Sequence, residues 1–77
     1  MDRASTLYED VRGEVGGIFA TPLQLSKIIH RSTSMLAKDR MLKVGIPFMK
    51  MGKRAGMVRY RVDDIVEWIE NNTFMTA

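Results

Sequence analysis

The sequence predicts an α+β chain in which two short helices meet at a sharp corner and are followed by a β-hairpin and a closing helix. Three observations predict it. Thr21-Pro22 sets a capping hydroxyl before a proline at the first helical position, and Leu25, Ile28 and Ile29 follow at helical spacing. Val58, Tyr60 and Val62 alternate with Arg59 and Arg61, the period-2 signature of a half-buried strand. The charge is also partitioned: residues 21–61 hold ten basic groups and one acid, Asp39, for a net +9, against −2 over residues 1–20 and −4 over residues 62–77.

In chain order, residues 5–15 predict a short helix capped by Ser5, with Leu7, Tyr8 and Val11 on one side; Gly13, Gly16 and Gly17 weaken it. Gly16-Gly17 marks a turn, and Ile18-Phe19-Ala20 a short extended stretch. The first helix proper starts at Pro22. Its apolar face leaves Leu23 outside, to be covered by the N-terminal segment. His30-Arg31-Ser32 breaks the pattern, and Ser32 caps a second helix from Thr33 to about Leu42. That helix is expected to turn Met35, Leu36 and Leu42 inward and Thr33, Ser34, Ala37, Lys38 and Met41 outward. Asp39 falls within the inward face, so either the helix ends early or Asp39 pairs with Lys43, Arg40 or His30.

Pro47 forbids continued helix. Residues 48–51 and 57–61 predict two strands around a hairpin tip, Gly52-Lys53-Arg54-Ala55-Gly56, with Arg59 and Arg61 outward. Asp63 is the expected cap of the last helix, residues 64–71, with Ile65, Trp68 and Ile69 as its buried stripe, Val66 at the edge, and Glu67 and Glu70 in solvent. Met35, Met49 and Met51 are expected as adaptable core filler, with Met41 and Met57 outward. The domain is placed at residues 21–72, after an N-terminal extension over 1–20 and before a frayed tail over 73–77, whose Phe74 could pack back on the domain.

Seventy-seven residues suffice for one domain. With no cysteine there is no disulfide and no thiolate nucleophile or ligand. No apolar run approaches the roughly 20 residues of a membrane span, and the first residues lack the pattern of a signal peptide, so a cytoplasmic protein is expected. No enzymatic constellation emerges. His30 reads as a turn residue, and Asp63-Asp64 as acids favoured at a helix start. Glu67 and Glu70 lack a neighbouring histidine, and Gly52 to Gly56 precede a strand rather than the helix of a phosphate cradle. Neither a cofactor nor a metal is predicted.

A block so basic suits a polyanion. Two helices joined by about three residues form a helix-turn-helix corner, and the hairpin then serves as a wing, which makes the predicted fold a winged helix-turn-helix. In that arrangement the second helix enters the DNA major groove by its N-terminus, so Arg31, Thr33, Ser34 and Lys38 are the expected recognition-helix contacts. Lys53 and Arg54 at the hairpin tip are expected in the minor groove, with Lys50, Arg59 and Arg61 on phosphates.

From Thr21 onward, over about fifty residues, the chain resembles the phage excisionase and AlpA-like family of small winged-helix DNA-binding proteins, relatives of the MerR-type domain. The resemblance is carried by Thr21-Pro22-Leu23-Gln24-Leu25-Ser26-Lys27-Ile28-Ile29 and Ser32-Thr33-Ser34-Met35-Leu36. It continues in Gly45-Ile46-Pro47-Phe48-Met49-Lys50-Met51-Gly52, and in Val58-Arg59-Tyr60-Arg61 with Asp64-Ile65-Val66-Glu67-Trp68-Ile69. His30 and Arg31 depart from the family's usual glycine and aliphatic residue in the turn, and Asp39 from an apolar or aromatic one. The resemblance implies sequence-selective binding of double-stranded DNA without catalysis. It points to an excisionase that bends DNA and directs an integrase, to a transcriptional regulator, or to a DNA-packaging terminase-type domain. A protein-interaction adaptor for a recombinase, and cooperative self-association along DNA, are the other partner readings.

Overall fold

In the computed structural model, which describes residues 3–53 and 56–72 with side chains from residue 6 onward, seven elements follow one another. They are α1 (Arg3–Val15), β1 (Phe19–Ala20), α2 (Pro22–Ile29), α3 (Thr33–Met41), β2 (Met49–Met51), β3 (Met57–Arg61) and α4 (Val62–Asn71). The described residues form an α+β fold of four helices and a three-stranded antiparallel sheet in the order β1-β3-β2.

The predicted N-terminal helix is real and longer than expected: it begins before Ser5, which lies inside it and is not its cap. Leu7, Tyr8, Val11 and Val15 share one face, and α1 packs on α4 and α2. It stops where Gly16 takes a positive φ of 78° and donates its N–H to the Arg12 carbonyl. The extended stretch after it is a strand with a partner the sequence did not reveal: Phe19 lies opposite Arg61 and Ala20 opposite Tyr60.

Thr21 starts α2 with a full capping box. Its hydroxyl accepts from the Gln24 N–H at 3.1 Å, and the Gln24 side chain accepts from the Thr21 N–H at 2.9 Å. The same Gln24 amide donates to the Val15 carbonyl at 3.0 Å, tying the start of α2 to the end of α1. That tie runs through Gln24 and leaves Leu23 58% exposed, so the N-terminal segment does not cover it.

The core is Val11, Val15, Ala20, Leu25, Leu36, Ile46, Tyr60, Val62, Ile65 and Val66. It therefore draws on α1 and β1 as well as on residues 21–72. In α4, Val66 is buried while Trp68 and Ile69 are half-buried, so the stripe lies nearer the helix start than the sequence suggested. Asp63 does not cap α4. Strand β3 feeds the helix directly, the Val62 N–H is taken by the Ile18 carbonyl at 2.9 Å, and the helix begins one residue before Asp63. Asp63 and Asp64 stand in the first turn, where the helix dipole favours acids.

The methionines depart most from expectation. Met35, Met49 and Met51 are exposed, as are Met41 and Met57, so none of the five described methionines is core filler. On the hairpin the reason is register: Met49 lies opposite Arg59 and Met51 opposite Met57. Alternation then puts them on the sheet face away from Val58 and Tyr60. On α3 the reason is rotation: the side facing the core carries Leu36, Asp39 and Arg40. Leu42 is the C-cap rather than a helical residue and is 59% exposed, not inward as expected. The tail, Phe74 and the tip residue Arg54 lie outside the described residues.

Candidate functional site

The α2–α3 corner is made by three residues of distinct conformation. His30 is the C-cap of α2 in the left-handed region, φ 55°, a turn residue as expected. The N–H groups of His30 and Arg31 both donate to the Ser26 carbonyl, which closes the end of α2. Ser32 is extended, and its hydroxyl accepts from the Met35 N–H at 3.1 Å, starting α3.

Asp39 is paired, but its partner is none of the three the sequence suggested. Arg31 Nε donates to Asp39 Oδ2 at 2.7 Å and the Arg31 terminal nitrogen to Oδ1 at 2.9 Å, a two-pronged fork. The fork holds the Asp39 carboxyl below its ordinary range and raises the Arg31 guanidinium, against the smaller opposing effect of partial burial. The Asp39 side chain sits beside Gly45, which has a φ of 82°. A Cβ there would lie 3.4 Å from the Asp39 Cβ, an ordinary contact, so it is the positive φ of the turn that calls for glycine.

Arg40 is the residue that reading the sequence missed. It donates to the Tyr60 hydroxyl at 2.6 Å, with its guanidinium carbon 6.0 Å from the ring centroids of both Tyr60 and Phe48. A signal was present: Arg40 lies four residues after Leu36, on the same side of the helix. Both arginines of the corner are thus committed to intramolecular contacts.

The outer surface of α3 carries Thr33, Ser34, Ala37, Lys38 and Met41, all exposed as expected, with exposed Met35 beside them. Thr33, Ser34 and Lys38 are brought together there, whereas Arg31 is turned to Asp39. On the hairpin, Lys50 and Lys53 are exposed. Arg59 is half-buried and donates to the Val58 carbonyl at 2.7 Å, and Arg61 is 3.4 Å from Asp63 in an exposed pair. Register separates the three cations expected to work together: Lys50 lies opposite Val58, on the other sheet face from Arg59 and Arg61.

Lys38, Lys43, Lys50 and Lys53 are exposed and form no salt bridge among the described residues, though the charge of Lys38 acts on its neighbour Asp39. The acids lie elsewhere: Glu9, Asp10 and Glu14 on α1, and Asp63, Asp64, Glu67 and Glu70 on α4, two helices that pack on each other. A groove of about 760 Å³ opens beside α1, with Leu7, Val11, Ile28 and Ile69 as its apolar lining and Asp10, Glu14 and Lys27 among its polar groups. No group of three or more metal-ligating side chains occurs among the described residues, and no described helix is long and apolar enough to cross a membrane. No family model, curated protein or solved structure matches the chain.

Proposed function

We propose that the chain is a winged helix-turn-helix protein that binds double-stranded DNA without catalysis, with α3 in the major groove and the β2–β3 hairpin as the wing. The observation that carries this reading is the state of Asp39. It is the one acid among residues 21–61, and the Arg31 fork consumes it. The lysines of α3, its C-terminal turn and the hairpin are left as a field of one sign, which is what a polyanion requires. Ser34 and Ala37, small and exposed, allow the backbone of α3 to approach a groove closely. Within this reading an excisionase that bends DNA for an integrase comes first, on the resemblance described above. Transcriptional control and DNA packaging are its alternatives.

Fluorescence anisotropy of a labelled duplex, titrated with protein at several salt concentrations, tests it. Neutralisation of about four phosphates by Lys38, Lys43, Lys50 and Lys53 predicts that log affinity falls with log salt at a slope of about −4. The Lys38→Ala/Lys53→Ala protein should bind more weakly, with a slope shallower by about 2. A folded protein that binds no duplex at low salt would sink the reading. A second reading, an adaptor that holds a basic protein segment, is favoured by the groove beside α1, where Asp10 and Glu14 lie among apolar side chains. Capture of a recombinase that survives nuclease treatment and is lost in Asp10→Lys/Glu14→Lys would support it.

A further inference from the structure

What α3 lacks on its outer surface is as informative as what it carries. Two-pronged reading of a base edge uses arginine or lysine at guanine and asparagine or glutamine at adenine. Arg31 and Asp39 are spent on each other, and Arg40 is spent on Tyr60. The exposed surface is Thr33, Ser34, Met35, Ala37, Lys38 and Met41, of which Lys38 alone can bond two base atoms at once, at a guanine. Ala37 and Met41 stand one turn apart, and Met41 is 78% exposed. They are exposed apolar side chains beside Lys38, which is exposed and forms no salt bridge among the described residues. In the major groove one feature is apolar, the C5-methyl group of thymine.

We propose that α3 reads DNA through thymine methyl groups, packed against Ala37 and Met41, with Lys38 as a point charge on phosphate or on a guanine edge. This rests on the DNA-binding reading above and names the ligand chemistry of that surface. Methionine suits the role, since its unbranched, polarizable chain follows an irregular apolar surface. A protein partner would also cover exposed methionines. Lys38 and Lys43, on and just after the helix, are exposed and in no salt bridge among the described residues, and the one acid there, Asp39, is held by Arg31; that complements DNA instead.

The test begins with selection of a bound duplex from a random pool by the wild-type protein. Thymines in that duplex are then replaced one at a time by deoxyuridine, which removes the methyl group and keeps the hydrogen-bonding edge. Affinity should fall about fourfold at each contacted thymine, the effect of one buried methyl-sized group. Met41→Ala, at a surface position, should fold normally and lose most of that thymine-over-uracil preference. Tight binding that is indifferent to deoxyuridine, or a selected site with no thymine, overturns methyl reading and leaves DNA binding standing. A preference that survives in Met41→Ala removes α3 from it. If a folded wild-type protein selects no duplex at all, it is the DNA-binding reading that fails. Self-association abolished by Met41→Ala, with no uracil effect, would assign the surface to a protein contact and overturn the proposal.

Discussion

Helices α3 and α4, nine and ten residues long, are held in the molecule in different ways. Helix α4 buries Val62, Ile65 and Val66, half-buries Trp68 and Ile69, and turns Glu67 and Glu70 to solvent. It is held by apolar area, and α1 supplies much of the surface it packs on. Helix α3 buries one side chain, Leu36. Its placement comes from directional polar contacts: the Ser32 cap, the Arg31–Asp39 fork and the Arg40–Tyr60 hydrogen bond. The difference teaches that a helix need not spend its apolar residues on the core. Once polar contacts fix its rotation, Met35 and Met41 can face outward, available to a ligand.

The largest test of this contrast compares truncations on the two helices. Ile65→Ala should cost about 2–5 kcal/mol in urea unfolding, a large share of the stability of so small a domain. Met35→Ala should stay within about 0.5 kcal/mol, as surface positions do. Similar costs for the two would mean that α3 is also held by apolar burial, and the contrast would collapse.

An intermediate effect is expected at the contact between α3 and the sheet. Tyr60→Phe keeps the buried ring and removes the hydroxyl to which Arg40 donates. A loss of about 1.5–3 kcal/mol is expected, the magnitude for a hydrogen bond to a charged group. Unfolding of that variant with an unchanged midpoint would show that the ring contacts alone hold Arg40.

The smallest effect is sharpest in its pH dependence. The Asp39 carboxyl is lowered in the fold from its ordinary 3.8, chiefly by the hydrogen bonds from Arg31. A lowered carboxylate contributes in full above 3.8, and the contribution fades as pH falls through the lower folded value. The stability gap between wild type and Asp39→Asn should therefore be present at neutral pH and close in acid. Urea midpoints measured on both proteins across that range decide it. A gap independent of pH would assign the Asp39 contribution to packing against Gly45 rather than to the charge.

Much of this was legible in the sequence, because it rests on local chemistry. The Thr21-Pro22 start, the Ser32 cap, the turn at His30 and the alternation through β3 are short-range consequences of residue type, and each element lies within a residue or two of its expected place. The charge partition was also a property of the sequence alone. Lys38, Thr33 and Ser34 lie exposed on α3 as expected, since helical spacing fixes which residues share a surface.

What the tertiary structure decided was everything that depends on which way an element is turned. The sequence required a partner for Asp39, but only the corner could choose Arg31, because a two-pronged fork needs both geometry and charge. Whether Met49 and Met51 or Lys50 shares a face with Tyr60 depends on one residue of strand register, which Met49 opposite Arg59 settles. The pairing of β1 with β3 joins segments some forty residues apart, and no local signal reports such a contact. The periodicity of α3 was visible from its sequence; its rotation was set by Arg31, Asp39, Arg40 and Tyr60, through contacts that exist only once the chain has folded.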